Sequence, residues 1–281
     1  MNFSEFNKMM EFWYRRTQKI VPELSTFTLA LYKREGIETK FLGSAVLFKY
    51  KNGYYLLSAS HVLETKDIDN ILVPSTDKTM RYLPTISKVS TAIPSTGNRE
   101  DDKIDIAVLK LYDPIFINEL KSYRKFLDFG KIEFGEPKKS PLPNQIVCGF
   151  PDHMMKRDKT NEKWNAGLFV FHSYISKFSK YEKYNCNKEN HIFLEYPKNL
   201  QRDREDSPLV KSKNPNGISG CGVWQIEYSI NENNLDYKLI GIIIEYQSRY
   251  HRVLIASRLA PIKEFLKSFK DLDDYIKKNQ S

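Results

Sequence analysis

The chain has 281 residues, 41% of them hydrophobic and 13% aromatic. That is enough for one large domain or two medium ones with a real core, and too apolar for a disordered chain. No apolar run approaches the roughly eighteen residues of a membrane helix. The first twenty residues mix Glu5, Lys8, Glu11, Arg15 and Arg16 with apolar ones and lack the block of a secretory signal. The formal charge of +9 invites a nucleic-acid reading. Against it, acidic residues interleave almost everywhere, and the densest basic cluster, Lys211 with Lys213, is too short to track a phosphate backbone.

In chain order, Phe6, Met9, Met10 and Trp13 recur at helical spacing and predict an amphipathic helix over Phe3 to Ile20, with Ser4 as its cap. From Thr26 the pattern turns to short β-rich runs: Thr26 to Lys33, Lys40 to Tyr50 and Tyr54 to Ser60, the last two joined as a hairpin at Lys51-Asn52-Gly53. Further strands are expected at Ile71 to Val73, Ile104 to Leu111, Gln145 to Cys148, Leu168 to Tyr174, His191 to Tyr196, Cys221 to Tyr228, Lys238 to Tyr246 and Arg252 to Ser257. The polar stretches Ser95 to Lys103, Asp152 to Asn165 and Gln201 to Asn216 read as loops, and Asp113 to Glu133 as a break between two β units. After Pro261 a second helix is expected, with Ile262, Phe265, Leu266, Phe269 and Leu272 on its buried face. The division that follows is a helix at 1–22, a β unit at 23–125, a second at 126–259 and a closing helix at 260–281.

Three stretches carry chemistry: Ser58-Ala59-Ser60-His61-Val62, Lys103-Ile104-Asp105-Ile106-Ala107-Val108 and Asn216-Gly217-Ile218-Ser219-Gly220-Cys221-Gly222. A serine hydroxyl must lose its proton as it attacks. A neutral imidazole can take that proton and return it to a leaving group. A buried carboxylate on the other ring nitrogen fixes the tautomer. The candidates are Ser219 as nucleophile, His61 as base and Asp105 as its orienter. The glycines around Ser219 allow a tight turn, and the N–H groups of Gly217 and Ser219 are the candidate oxyanion donors.

These stretches resemble those of the chymotrypsin-fold (trypsin-like) serine peptidases. Ser58-Ala59-Ser60-His61 is similar to the family's Thr-Ala-Ala-His, Asp105-Ile106-Ala107-Val108-Leu109 to Asp-Ile-Ala-Leu-Leu, and Gly217-Ile218-Ser219-Gly220-Cys221 in part to Gly-Asp-Ser-Gly-Gly. Phe41 to Val46, Gly149-Phe150-Pro151 and Leu239 to Ile242 add support, so the resemblance covers roughly Thr26 to Leu266. It implies a mostly-β chain of two six-stranded antiparallel β-barrels, with His61 and Asp105 on the first and Ser219 on the second. The site would lie in the cleft between them, with no metal or organic cofactor and with a protein or peptide as substrate.

The departures are informative. Ile218 stands where family members made as zymogens carry the aspartate that receives a newly cut N-terminus. Cys221 replaces a glycine, and a thiol nucleophile there is weighed against Ser219 and set aside because it lies past the glycine turn. The resemblance places Lys213 at the base of the specificity pocket, favouring an acidic substrate side chain, and Glu245 on a flanking strand, opposing it. Three cysteines without short paired spacing argue against a disulfide framework and against a thiolate zinc site. The expectation is therefore a cytoplasmic, bacterial endopeptidase that acts on specific targets, under an activating or regulatory protein partner. Its rivals are a catalytically silent trypsin-like scaffold and a nucleic-acid-associated protein.

Overall fold

The computed structural model describes residues 13–280, apart from residues 14, 16, 65–69, 76–79, 85, 92–100, 139, 141–142, 159–162, 177–180, 201–209, 213–214, 230–233 and 250–251. Phe6, Met9 and Met10 of the expected first helix lie outside the described residues. Trp13 is buried, and a short helix α1 (Val21–Thr26) follows, opened by Pro22 at a position where the missing N–H costs nothing.

The first sheet is built from β1 (Thr28–Glu35), β2 (Glu38–Tyr50), β3 (Gly53–Ala59), β4 (Ile71–Pro74), β5 (Met80–Tyr82), β6 (Ile86–Ser90) and β7 (Ile106–Leu111). Their order is β5-β4-β1-β2-β3-β7-β6, all antiparallel, and the short β8 (Leu127–Asp128) adds in parallel to β2. Between β7 and β8 lies α2 (Pro114–Tyr123), in the stretch read from sequence as a break. Asp113 caps it, its Oδ1 accepting from the N–H groups of Ile115 at 2.8 Å and Phe116 at 3.2 Å.

In the second half β9 (Gln145–Gly149) is followed by a polar ribbon, β10 (Met155–Asp158) and β11 (Lys163–Ala166), where the sequence suggested a loop. Next come β12 (Phe169–Ser173), β13 (His191–Glu195), the two-residue pair β14 (Asn199–Leu200) and β15 (Val210–Lys211), then β16 (Gly222–Ser229), β17 (Asn234–Gln247) and β18 (Val253–Arg258). Six of these form a sheet ordered β12-β9-β16-β17-β18-β13. A bridge from Ile175 to Leu194 joins its two edges, so the ring closes. The first sheet repeats this connectivity through β1, β2, β3, β4, β6 and β7. Among the described residues, however, no ladder joins β6 to β4 or β5.

Alternating strand residues fill each barrel, and a third apolar cluster sits between them. It combines Val46, Phe48, Leu57 and Val108 of the first barrel with Ile146, Trp224 and Leu239 of the second. Residues from both helical segments join this cluster: Trp13, Ile20 and Leu24, and Ile262, Phe265, Leu266 and Phe269 of α3 (Ile262–Gln280). The apolar face expected for the closing helix is present and lies against β6 and β7 of the first barrel, though the side chain of Leu272 falls outside the described residues. No helix among the described residues is long and apolar enough to cross a membrane.

Candidate active site

Strand register brings His61 and Asp105 together. β3 and β7 pair through Ala59 and Ile106, so the next residue out on each strand, Ser60 and Asp105, lies at the same sheet end. Ser60 N–H donates to the Asp105 carbonyl at 2.9 Å, and Ser60 Oγ donates to the Ile106 carbonyl at 2.8 Å. His61 then opens a single 3-10 turn, pinned by the buried Val62 and Leu63. Asp105 takes φ 46°, a left-handed conformation that aspartate tolerates better than most residues. That bend aims its carboxylate back at the turn: Oδ1 accepts the His61 backbone N–H at 2.9 Å and Oδ2 accepts the ring Nδ1–H at 2.5 Å. The carboxylate is only 8% exposed while the His61 side chain is 42% exposed. With Nδ1 bound to Asp105, the lone pair of Nε2 is the one left for chemistry.

Ser219 sits on a turn at the start of the β16 run. Its anchor is Ile218, 2% exposed in the core of the second barrel with Val147, Ile192 and Tyr196, and worth about 2 kcal/mol of burial. The backbone of the turn is directed peptide by peptide. The Asn216 carbonyl accepts from Asp152 N–H at 2.9 Å, and the Ile218 carbonyl accepts from Cys221 N–H at 3.0 Å. In a trans peptide the N–H points opposite the C=O, so the N–H groups of Gly217 and Ser219 are turned away from these bonds. Among the described residues neither has an acceptor.

A stitch between the barrels sets where this turn lies. Ser44 of β2 is fully buried and donates its N–H to the Ser219 carbonyl at 2.9 Å. Its Oγ accepts from Phe150 N–H at 2.8 Å, and its carbonyl accepts from Ser58 Oγ at 2.6 Å. The approach is possible only between glycines. A Cβ on Gly220, at φ +83°, would lie 1.8 Å from the Ser44 carbonyl oxygen. A Cβ on Gly43 would lie 2.8 Å from the Ser219 carbonyl oxygen and 2.9 Å from the Val62 side chain, so Gly43 is where the serine turn and the histidine turn meet. Sequence reading passed over Ser44 and Ser58. Their signal was a serine inside each of two apolar strand runs, Gly43-Ser44-Ala45 and Leu57-Ser58-Ala59.

The Ser219 hydroxyl donates to the Ile244 carbonyl at 3.3 Å, and among the described residues it makes no hydrogen bond to His61. Cys221 is wholly buried against Ser44 Oγ, and burial pushes its thiol up to about 12, which leaves no thiolate to attack. Cys148, Cys186 and Cys221 are all free and buried. Lys213 lies outside the described residues. Glu245 is a third exposed, 3.9 Å from Lys103 Nζ, and accepts from Gln247 Nε2, so it turns toward the segment ahead of Asp105. Among the described residues no group of three or more His, Cys, Asp or Glu side chains is placed to hold a metal ion.

The positive charge is less scattered in space than in sequence. Lys51, Lys110, Lys263, Lys267 and Lys270 line one groove of about 770 Å³ between the β2–β3 turn and α3. They come from three separate segments, which hid the cluster from a linear reading.

No protein-family model matches the chain, and no curated protein sequence matches it. Among solved structures the chain is similar to neuropsin, a serine protease expressed in the limbic system of mouse brain, at 14% identity with a TM-score of 0.54. The match covers 89% of this chain and 96% of that one. At that identity the likeness speaks for the backbone alone, and together with the strand order it gives a mostly-β fold of two antiparallel barrels of the chymotrypsin type.

Proposed function

We propose that the chain is a serine endopeptidase. Ser219 attacks the scissile carbonyl, His61 takes its proton through Nε2 and returns it to the leaving amine, and Asp105 holds the imidazole and stabilises its charged form. The N–H groups of Gly217 and Ser219 receive the oxyanion, each such donor being worth about a hundred- to a thousandfold in rate. One observation carries the reading: a His61–Asp105 pair with both carboxylate oxygens engaged, beside a serine turn whose Gly217 and Ser219 N–H groups have no acceptor among the described residues. The substrate has a place to lie. Past Ile243, which still bonds to Gly220 and Cys221, β17 pairs among the described residues only with β18, so one edge is open to an added strand beside Ser219. Three buried, unpaired cysteines suit a reducing bacterial cytosol, where specific cleavage under a regulatory partner is the mode we propose.

The Ser219 hydroxyl favours a second reading, a silent scaffold, because it is bonded to Ile244 and not to His61. The two readings differ in whether this hydroxyl turns to His61, and such bonds often tighten only when substrate binds. Intact-mass analysis after exposure to a fluorophosphonate decides between them. One adduct, lost in Ser219→Ala and His61→Ala, supports the peptidase; no adduct, with or without cell lysate, supports the scaffold.

A further inference from the structure

We infer that Arg252 selects an acidic side chain on the residue preceding the cleaved bond; the inference rests on the peptidase reading above. Ser219 Oγ meets the carbonyl of Ile244, and Tyr246 lies two residues further along β17, about 7 Å away. Tyr246 packs on the cluster that holds Ile218, the neighbour of Ser219. Arg252, just ahead of β18, donates from Nε to the Tyr246 hydroxyl at 2.8 Å. Its carbonyl accepts from Tyr196 N–H at 3.0 Å, which fixes its backbone to β13. The guanidinium lies over both rings, 5.5 Å from the centre of Tyr196 and 5.8 Å from that of Tyr246.

All of these partners are neutral. Arg252 is half-buried, yet among the described residues it has no carboxylate within ion-pair distance. A guanidinium carries five N–H donors. Only the one on Nε is used, so the terminal fork is left free, and that fork matches a carboxylate in a bidentate pair. The arginine is therefore held in place by aromatic walls and lacks the anion that such a setting ordinarily supplies.

Glu245 is the nearest acid in sequence, and the strand turns it away. The ladder between β17 and β18 slips at Ile244, where Ile243 faces Ala256 and Glu245 already faces Ile255. A bulge of this kind puts two successive residues on one side. Ile244 accordingly joins the cluster containing Cys186, whose thiol is pushed up by burial first and by the charge of Glu245 second. Ile243 and Tyr246 face the other cluster with Ile218. The negative charge that would cancel Arg252 is thus on the opposite face, paired with Lys103.

The test uses matched peptides that differ only in the residue before the cleaved bond: Glu against Gln, Asp against Asn, and Lys. The expected result is that kcat/KM for Glu exceeds that for Gln by on the order of a hundredfold, the scale of a charge-assisted pair at a desolvated site. Arg252→Lys keeps the sign of the preference with a smaller ratio, Arg252→Ala brings the ratio near one, and Arg252→Glu moves the preference to Lys. Fluorophosphonate labelling of the same preparations separates this inference from the one beneath it. Wild-type enzyme that is labelled on Ser219 but cuts Glu and Gln peptides alike overturns the role of Arg252 and leaves the peptidase standing. Enzyme that is neither labelled nor active overturns both.

Discussion

The two halves of the candidate site are built by different means. His61 and Asp105 follow from strand register: once β3 and β7 pair through Ala59 and Ile106, a left-handed bend at Asp105 and one 3-10 turn bring imidazole and carboxylate to 2.5 Å. Ser219 rides on a turn whose place depends on hydrogen bonds to Ser44 in the other barrel and to Ile243 in its own. The register half is complete in the free chain. The turn half has its backbone in place while its hydroxyl faces Ile244. Strand pairing gives a rigid pair of residues without further help, whereas a turn needs a partner surface and leaves its last rotation to the substrate.

Replacing Asp105 by Asn tests the register half. It keeps the shape and reverses the hydrogen-bond sense at one oxygen, so kcat should fall by roughly 10⁴ with little change in thermal stability. A fall of less than tenfold would mean that His61 is oriented by something else. Gly220→Ala tests the turn half. With a Cβ 1.8 Å from a backbone oxygen the turn must move, at a cost on the order of 3 kcal/mol read by denaturant unfolding, together with loss of fluorophosphonate labelling. Ser44→Ala leaves the buried Phe150 N–H unpaired. A loss of about 2 kcal/mol is expected, with labelling slowed but retained. An unchanged labelling rate would show that the stitch does not position the nucleophile. The smallest effect belongs to Cys221. A thiol held up at about 12 stays protonated from pH 6 to 9, so iodoacetamide over that range should leave both mass and activity unchanged.

The residues that end or begin strands were the legible ones. His61, Asp105 and Ser219 each adjoin an apolar β run, and a reactive residue at such a boundary stands out against it. The strands themselves were legible where apolar residues run together, as in β2, β3, β7 and β17, which are buried on both faces over much of their length. The β10–β11 ribbon was not, because Met155–Asp158 and Lys163–Ala166 have no alternating apolar face to show. Helix α2 carried its signals, Asp113 as cap and Pro114 at the first position, but its ten residues are too short for helical periodicity to declare itself. The environment of Arg252 was hidden for another reason: Tyr196, Tyr246 and Arg252 lie on three strand segments that only the closed barrel brings together. The lysine groove was hidden in the same way.

The bond from Ser44 N–H to the Ser219 carbonyl ties the making of the site to the docking of the two barrels. His61 and Asp105 are placed by strand pairing within the first barrel, which does not carry the candidate nucleophile. The second barrel brings Ser219, but its turn gains the Ser44 bond only when the two barrels are docked. On the peptidase reading, a chain whose barrels are not docked therefore holds the His61–Asp105 pair without a placed serine, and activity should be lost together with the contact between the barrels.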